Sequence, residues 1–327
     1  MRILTEADVG RLLTPDMAIR SAEQAYAVYS GGLAQIPPRS EIHRTDPPGT
    51  VLVMPGLIGN STLGVKLIGS VVSQSEPSRR HTTCIIMVWD AVTLVPRGMI
   101  SADELNDYRT AGGLAVGARL LARADSSTHV LFGTGKLAFP TATYTSHVLP
   151  IRRVIVVGRT VRNVDALIAR LKQEAALRDT EIVGNLAPDE AVAQADIITT
   201  ITRSAEPLFD GRRIRQGTHI NIAGAMRRNE REVDDHVARR AIFVLDSEEM
   251  ARQRAGDLAL PLEAGVISEG QIAGEIGDII LGNRPGRTDP AQITIFRSMG
   301  IASQDLCLAA ALLDEAESKG VGQEIAL

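Results

Sequence analysis

The 327-residue sequence predicts an α/β protein: a doubly wound, mainly parallel sheet domain inserted into a smaller α+β domain. Three observations point there. Six short Val/Ile-rich runs follow one another between His129 and Asp246, separated by helical or loop segments, as strands buried on both faces and joined by crossovers do. The residues before them hold longer β-branched runs punctuated by Gly, Pro and Asn. The last helical stretch, about Ser303 to Ser318, is too apolar to stand alone and is expected to pack back on the first part of the chain. That makes the parallel domain an insertion, with expected boundaries at 1–120 plus 303–327 for the outer domain and 121–302 for the inner one.

The outer domain opens with a helix, Pro15 to Gly31, whose apolar residues recur at helical spacing. After "PPRS" (Pro37 to Ser40), the runs "TVLVMP", "LGVKLIGSVV" and "TTCIIMVWD" read as strands, and a helix about Thr110 to Arg123 closes the segment. In the inner domain "HVLF" is the first strand. "KLAFPTATYTSHVL" follows as a helix provided that Pro140 lies in its first turn, where the missing N–H is harmless. "RVIVVG" is the second strand and "NVDALIARLKQEAAL" the second helix; "EIVG", "DIITTIT", "THINIAG" and "AIFVLD" complete the six strands. Beyond Asp246 the glycines of "GDLALPLEAG" and "GEIGDIILGNRPGR" predict a loop-rich stretch.

Composition narrows the function. Hydrophobic residues are 44% and aromatics only 3%, so the core must be built of Val, Ile, Leu and Ala. With 35 Lys and Arg against 39 Asp and Glu, the net charge of −4 gives no electrostatic reason to expect nucleic acid or an acidic membrane, and a small-molecule partner is expected. Cys84 and Cys307 stand far apart in no C-x-x-C pair, which fits a reducing, cytoplasmic setting. "MRILTEADVG" has no long apolar core, and "CIIMVW" (Cys84 to Trp89) is far short of the roughly 20 residues that cross a bilayer. The histidines (His43, His81, His129, His147, His219, His236) form no metal-ligand pattern, so no metal is expected, and His219 reads as a packing residue. No G-x-S-x-G nucleophile elbow occurs.

The chemistry enters at Gly133-Thr134-Gly135-Lys136-Leu137-Ala138, which fits G-x-G-x-x-A after a strand and before a helix. In the Rossmann dinucleotide-binding fold the first glycine makes the tight turn and the second lets a pyrophosphate approach the backbone. The small third residue lets helix and sheet pack closely, and the helix N-terminus favours the negative charge. A Walker-type P-loop is excluded twice: Val130 stands at its first glycine, and Leu137 stands where Ser or Thr would hold magnesium. The end of the second strand carries no acidic residue to hold a ribose 2′-hydroxyl; it reads "VVGRTVRN". Arg159, Thr160 and Arg162 there suit a 2′-phosphate, so NADP(H) is expected over NAD(H), with Arg159 its main ligand.

Along nearly its whole length the chain resembles the ornithine cyclodeaminase/μ-crystallin family. "GVK" (Gly64 to Lys66), "YRTAG" (Tyr108 to Gly112), "GTGKLA", "VVGRT", "ADIITT" (Ala195 to Thr200), "GTHINIAGA" (Gly217 to Ala225), "GEIGDIILG" (Gly274 to Gly282) and "ITIFRSMGIASQD" (Ile293 to Asp305) fall in family order. The resemblance implies a substrate-binding and dimerisation domain, a homodimer, and a small α-imino or α-amino acid as substrate. By position it implies that Arg39, Lys66 and Arg109 hold the substrate carboxylate, with Lys66 also a candidate proton donor. It implies that Thr110, Thr134, Lys136, Leu137, Thr200 and Ser298 join the glycines around the nucleotide. Independently of it, Lys66 lies in the apolar run "LGVKLIG", where an unpaired ammonium is costly.

Two positions depart from the family pattern. Met226 follows Gly224-Ala225 where cyclodeaminases and the related alanine dehydrogenase place an Asp, and it cannot move protons; Leu137 replaces a common Gln. Reducing a C=N bond asks for less than deaminating cyclisation. The expected function is therefore an NADP(H)-dependent reductase of cyclic or N-substituted imino acids such as Δ1-pyrroline-2-carboxylate. The alternatives are an amino-acid dehydrogenase or cyclodeaminase and, from another class, a non-catalytic NADP(H)-dependent small-ligand binder. "RSMG" and Asp305 in "SQD" match a family segment near the nicotinamide, and Asp305 is expected to cap the last helix rather than to act there. Glu76, Arg79 and Arg80 are open between lining the pocket and facing solvent.

Overall fold

The computed structural model describes residues 1–72 and 80–326, and the side chains of all of these except Val72, Arg80 and His81. Glu76, Arg79 and the Arg80 side chain lie outside the described residues. The chain divides into two compact units, Thr110–Gly300 and Met1–Arg109 with Ile301–Leu327.

The unit Thr110–Gly300 holds eight strands: β1 (Thr128–Phe132), β2 (Arg153–Val157), β3 (Glu181–Gly184), β4 (Ile197–Thr200), β5 (His219–Ile222), β6 (Ala241–Leu245), β7 (Ile272–Glu275) and β8 (Ile293–Arg297). All pair in parallel, in the order β3-β2-β1-β4-β5-β8-β6-β7. The order reverses between β1 and β4, which is the Rossmann switch point at whose carboxyl edge ligands bind. Strands β1 to β6 are the six runs read from the sequence. Their Val, Ile and Phe side chains form a core with almost no exposure, so both sheet faces are covered. Pro140 is the third residue of the helix Ala138–Val148, inside its first turn.

The expectation of a loop-rich stretch beyond Asp246 is corrected here. Helices Glu248–Arg254 and Gly256–Glu263 follow at once, and β8, buried throughout, lies between β5 and β6. A five-residue strand buried on both faces shows no alternation, and its terminal Arg297 and the surrounding glycines masked it.

In the other unit the strands Gly49–Ile58, Thr62–Val72, Arg80–Asp90 and Pro96–Ser101 form an antiparallel meander. Ser40–Arg44 pairs the first of these, and Arg2–Leu4 runs parallel to the last. One sheet face packs under the helix Ala302–Lys319, whose Leu306, Leu308, Leu312 and Leu313 join Ile58, Ile86, Val88 and Ile100 in one core. The helix lies close because small residues floor its seat. A Cβ on Gly64 would lie inside contact distance of Leu306 Cδ2 and 2.8 Å from the Met87 carbonyl oxygen. The opposite face leaves Ile42, Val51 and Ile85 exposed.

Candidate active site

Lys66 sits mid-strand on the helix-covered face, in register with Met54 on one side and Ile86 on the other. All three are buried, and Lys66 is only 1% exposed. An ammonium in such a place needs partners. Lys66 Nζ donates to Asp305 Oδ1 (2.7 Å) and to Asn106 Oδ1 (2.7 Å). Arg109 Nε lies 3.0 Å from the same Asp305 oxygen, while its Nη1 and Nη2 donate to Gln304 Oε1 and Asn106 Oδ1, both at 3.1 Å. Gln304 Nε2 in turn donates to the buried Tyr26 hydroxyl at 2.8 Å. Three elements thus converge: the strand of Lys66, the helix Leu105–Leu121 with Asn106 and Arg109, and the helix Ala302–Lys319 with Gln304 and Asp305.

The electrostatics of this cluster are lopsided. Two cations face one carboxylate, which leaves about one positive charge in a place nearly without water. Burial pushes the Lys66 ammonium below its ordinary value; Asp305 opposes that shift, and Arg109 adds to it. The structure therefore brings Lys66 and Arg109 together. Arg39, half-buried, directly precedes Ser40, whose partner Val53 neighbours the Met54 that pairs Lys66, so it stands just beyond the paired residues at the register position of Met54, in line with the Lys66 row.

The reading of Asp305 as a helix cap is corrected. The N-cap position belongs to Ile301, and the fully buried Asp305 carboxylate is spent on Lys66 and Arg109. Sequence reasoning missed this because the Lys66–Asp305 pair spans 239 residues, and no local signal announces it. Asn106, Gln304 and Tyr26 were missed for the same reason.

The turn read from the sequence as nucleotide-binding lies at the carboxyl edge of the parallel sheet. β1 ends at Phe132, and Gly133 turns with φ +121°, a conformation that needs glycine, with its N–H donating to the Val157 carbonyl at 3.0 Å. A Cβ on Gly135 would meet nothing within 4 Å, so protein packing does not require glycine there; the open space accommodates a ligand. The helix Ala138–Val148 begins after Leu137 with no side chain capping it. Thr134 packs beside Gly158, where a Cβ would come within 2.9 Å of Thr134 Cγ2, so the turns after β1 and β2 adjoin. Lys136, Arg159, Thr160 and Arg162 are exposed, and Thr160 holds the N-cap position of the helix Val161–Leu171 without a side-chain cap bond. A glycine turn, an open glycine, an uncapped helix N-terminus and exposed guanidinium groups at the end of β2 fit a bound dinucleotide.

Thr200 closes β4 at this same edge, and Ser298 follows β8, donating its hydroxyl to Asp246 Oδ2 at 3.1 Å. Thr110 is half-buried, the first residue of this unit. A buried framework unseen in the sequence holds the edge in shape. Glu232 accepts from Thr202 N (2.8 Å) and Gly224 N (3.1 Å), tying the loops after β4 and β5 together. Arg297, fully buried, donates to the carbonyls of Ile222, Gly224, Ala225 and Ser298. Ala225 is thereby fixed at φ +47°, and Met226 beyond it is 41% exposed.

The comparisons agree with this geometry. The model of the ornithine cyclodeaminase/mu-crystallin family matches residues 1–320. A Delta(1)-pyrroline-2-carboxylate reductase of Bacillus cereus is 29% identical over 99% of both chains. Among solved structures, the Thermococcus litoralis Delta(1)-pyrroline-2-carboxylate reductase in complex with NADH and L-proline superposes with a TM-score of 0.91 at 28% identity, covering 99% of this chain and 100% of that one. An archaeal alanine dehydrogenase dimer with bound NAD gives 0.90 at 26% identity, over 100% and 99% of the two chains. The chain belongs to the ornithine cyclodeaminase/mu-crystallin family.

Proposed function

We propose, from membership of that family, that the chain is an NADP(H)-dependent reductase of cyclic or N-substituted α-imino acids, of the Δ1-pyrroline-2-carboxylate or ketimine type. The observation that carries the reading is the buried Lys66–Arg109 pair facing a single carboxylate, Asp305. That cluster has one positive charge to spare, and an α-carboxylate neutralises it. The Arg109 guanidinium pairs with a carboxylate in a planar fork, Lys66 adds a point charge, and Arg39 supplies a third cation. A reduced nicotinamide, when bound, supplies the hydride that adds to the imine carbon. Lys66 gives its proton to a neutral imine nitrogen and recovers it from water; a substrate bound as an iminium already carries that proton. Met226, a thioether at the edge position after β5, handles no protons, which places deaminating cyclisation behind imine reduction.

The choice of NADP(H) rests on Arg159. No carboxylate stands between Gly158 and Asn163, and the exposed guanidinium suits a 2′-phosphate. Residues 121–302 hold the nucleotide in this reading, and 1–120 with 303–327 hold the substrate. The chain works as a cytoplasmic homodimer, and the exposed apolar face bearing Ile42, Val51 and Ile85 supports self-association. Among the described residues no helix is long and apolar enough to cross a membrane.

The test is a panel assay. Oxidation of NADPH on addition of Δ1-pyrroline-2-carboxylate supports the reading. Ammonia released from ornithine or lysine without net nucleotide turnover supports a cyclodeaminase instead, and NADPH binding without turnover on any substrate supports a ligand-binding protein.

A further inference from the structure

We infer that Asp305 is a positioning residue of the carboxylate clamp: it keeps Lys66 charged and aimed, so that the clamp presents a surplus cation rather than a neutral amine. The inference rests on the reading of Lys66 and Arg109 as carboxylate-binding groups, and it gives Asp305 a role in the clamp in place of a helix cap.

The geometry is specific. Asp305 is fully buried on the helix Ala302–Lys319, and one of its oxygens, Oδ1, faces both Lys66 Nζ at 2.7 Å and Arg109 Nε at 3.0 Å. Its other oxygen, Oδ2, is buried and has no hydrogen-bond partner among the described residues. A carboxylate placed only to stabilise the fold is expected to fill both oxygens. The remaining groups around Lys66 cannot replace it. Asn106 on the helix Leu105–Leu121 is neutral, and Arg109 on the same helix is a like charge that disfavours the ammonium. Cys84, on the neighbouring strand, has its thiol pushed up to about 11 by burial and is uncharged at neutral pH; Asp103 is spent on the Cys84 backbone N–H. Tyr26 bonds Gln304, which in turn accepts from Arg109. Asp305 is thus the anion in contact with Lys66 among the described residues, and without it a lysine this deeply buried loses its proton at a lower pH.

The consequence separates two roles. A carboxylate that merely occupied the clamp would compete with the ligand, and Asp305→Asn would then tighten ligand binding at every pH. A carboxylate that keeps Lys66 charged produces a crossover. At low pH, with Lys66 protonated in both proteins, Asp305→Asn binds a carboxylate as well as the wild type or better. As pH rises, the variant loses affinity first.

The measurement is calorimetric titration of the full chain with pyrrole-2-carboxylate, a planar five-membered ring bearing the α-carboxylate, across pH 6 to 10, with oxidised nucleotide present and absent. It needs no turnover. The expected result is that the fall in affinity moves to lower pH by at least one pH unit in Asp305→Asn. At a pH above both midpoints the variant then binds about tenfold or more weakly, the scale of a lost charge-assisted contact. Asp305→Glu keeps the charge. It is expected to leave the midpoint within half a unit while weakening binding uniformly, and it decides the matter if Asp305→Asn does not fold. An unmoved midpoint in folded Asp305→Asn, tighter binding at every pH, a midpoint moved in Asp305→Glu as well, or no carboxylate binding by the wild type would each overturn the inference. Binding with the expected crossover but no turnover of any imino acid would count against the reductase reading alone.

Discussion

Substituting Gly64 by Ala tests the link between packing and the clamp. Gly64 lies two residues before Lys66 on the same strand face, and Leu306 directly follows Asp305. The added methyl would fall inside contact distance of Leu306 Cδ2 and only 2.8 Å from the Met87 carbonyl oxygen, whereas carbon and oxygen pack no closer than about 3.3 Å without strain. Leu306 has little room to turn away, because Gly56 floors its other methyl; a Cβ there would stand 2.9 Å from Leu306 Cδ1. The helix must therefore lift by roughly half an ångström or more, and small-to-large changes in closed cores of this kind cost about 1–3 kcal/mol. A lift of that size lengthens the 2.7 Å bond from Lys66 to Asp305 past the range of a strong charge-assisted bond. Urea denaturation, with its slope held constant, reads the stability loss, and the pH dependence of carboxylate binding reads the clamp. Gly64→Ala is expected to lose 1–3 kcal/mol, by the same estimate, and to weaken binding of pyrrole-2-carboxylate several-fold while leaving nucleotide affinity unchanged. A variant as stable as the wild type with unaltered carboxylate binding would refute the reasoning from sheet to helix to clamp.

Arg159→Asp places a carboxylate where a 2′-phosphate is expected; its KM for NADPH should rise about tenfold to a hundredfold while that for NADH holds or falls, and equal effects on both would remove Arg159 from nucleotide selection. Gly133→Ala forces a side chain onto a residue at φ +121°, with the new Cβ 3.0 Å from Ile201, and should cost nucleotide affinity together with stability; unchanged calorimetric affinity would contradict the turn's role. His129 is buried on β1, and burial pushes its ring down to about 4, so the folded chain keeps it neutral while the unfolded chain protonates it near the ordinary 6.5. The unfolded state then binds more protons between those values, and the His129 contribution to stability, present in full above pH 6.5, is lost as pH falls towards 4. Against a His129→Gln variant, the wild type should lose about 2 kcal/mol more stability between pH 7 and pH 5 in parallel urea titrations, and parallel pH profiles would show that the ring titrates normally.

Much of this architecture was legible in the sequence because it is local. The strands β1 to β6 declare themselves as short Val/Ile runs, and the glycine turn Gly133–Leu137 between β1 and its helix is read from consecutive residues. Lys66 was legible too, since a lysine inside "LGVKLIG" must either pair or be expelled from the core. What the sequence hid is what depends on distant partners. Asp305 looked like a helix cap because it lies three residues from the helix start at Ala302; its cations lie 239 and 196 positions away in the chain. Nothing local in the sequence marks Arg297, yet it is fully buried because the carbonyls of Ile222, Gly224 and Ala225, at and beyond the end of β5, and the Asp257 carboxylate converge on it. Strand β8 was missed for the complementary reason: its pairing with β5 and β6 is set by tertiary order, and five residues carry no period of their own.

The central claim is that a surplus buried cation and a phosphate-cradling turn serve one reaction, hydride addition to an imino acid bearing a carboxylate. Single-turnover stopped-flow with NADPH and Δ1-pyrroline-2-carboxylate, comparing the wild type with Lys66→Met, tests it most directly. The account predicts that the reduced-nicotinamide absorbance decays in the wild type and that proline accumulates in equal amount, with the rate at subsaturating substrate falling at least a hundredfold in the variant while NADPH still binds. Equal rates in the two proteins, or no proline from a wild type saturated with both ligands, would contradict it.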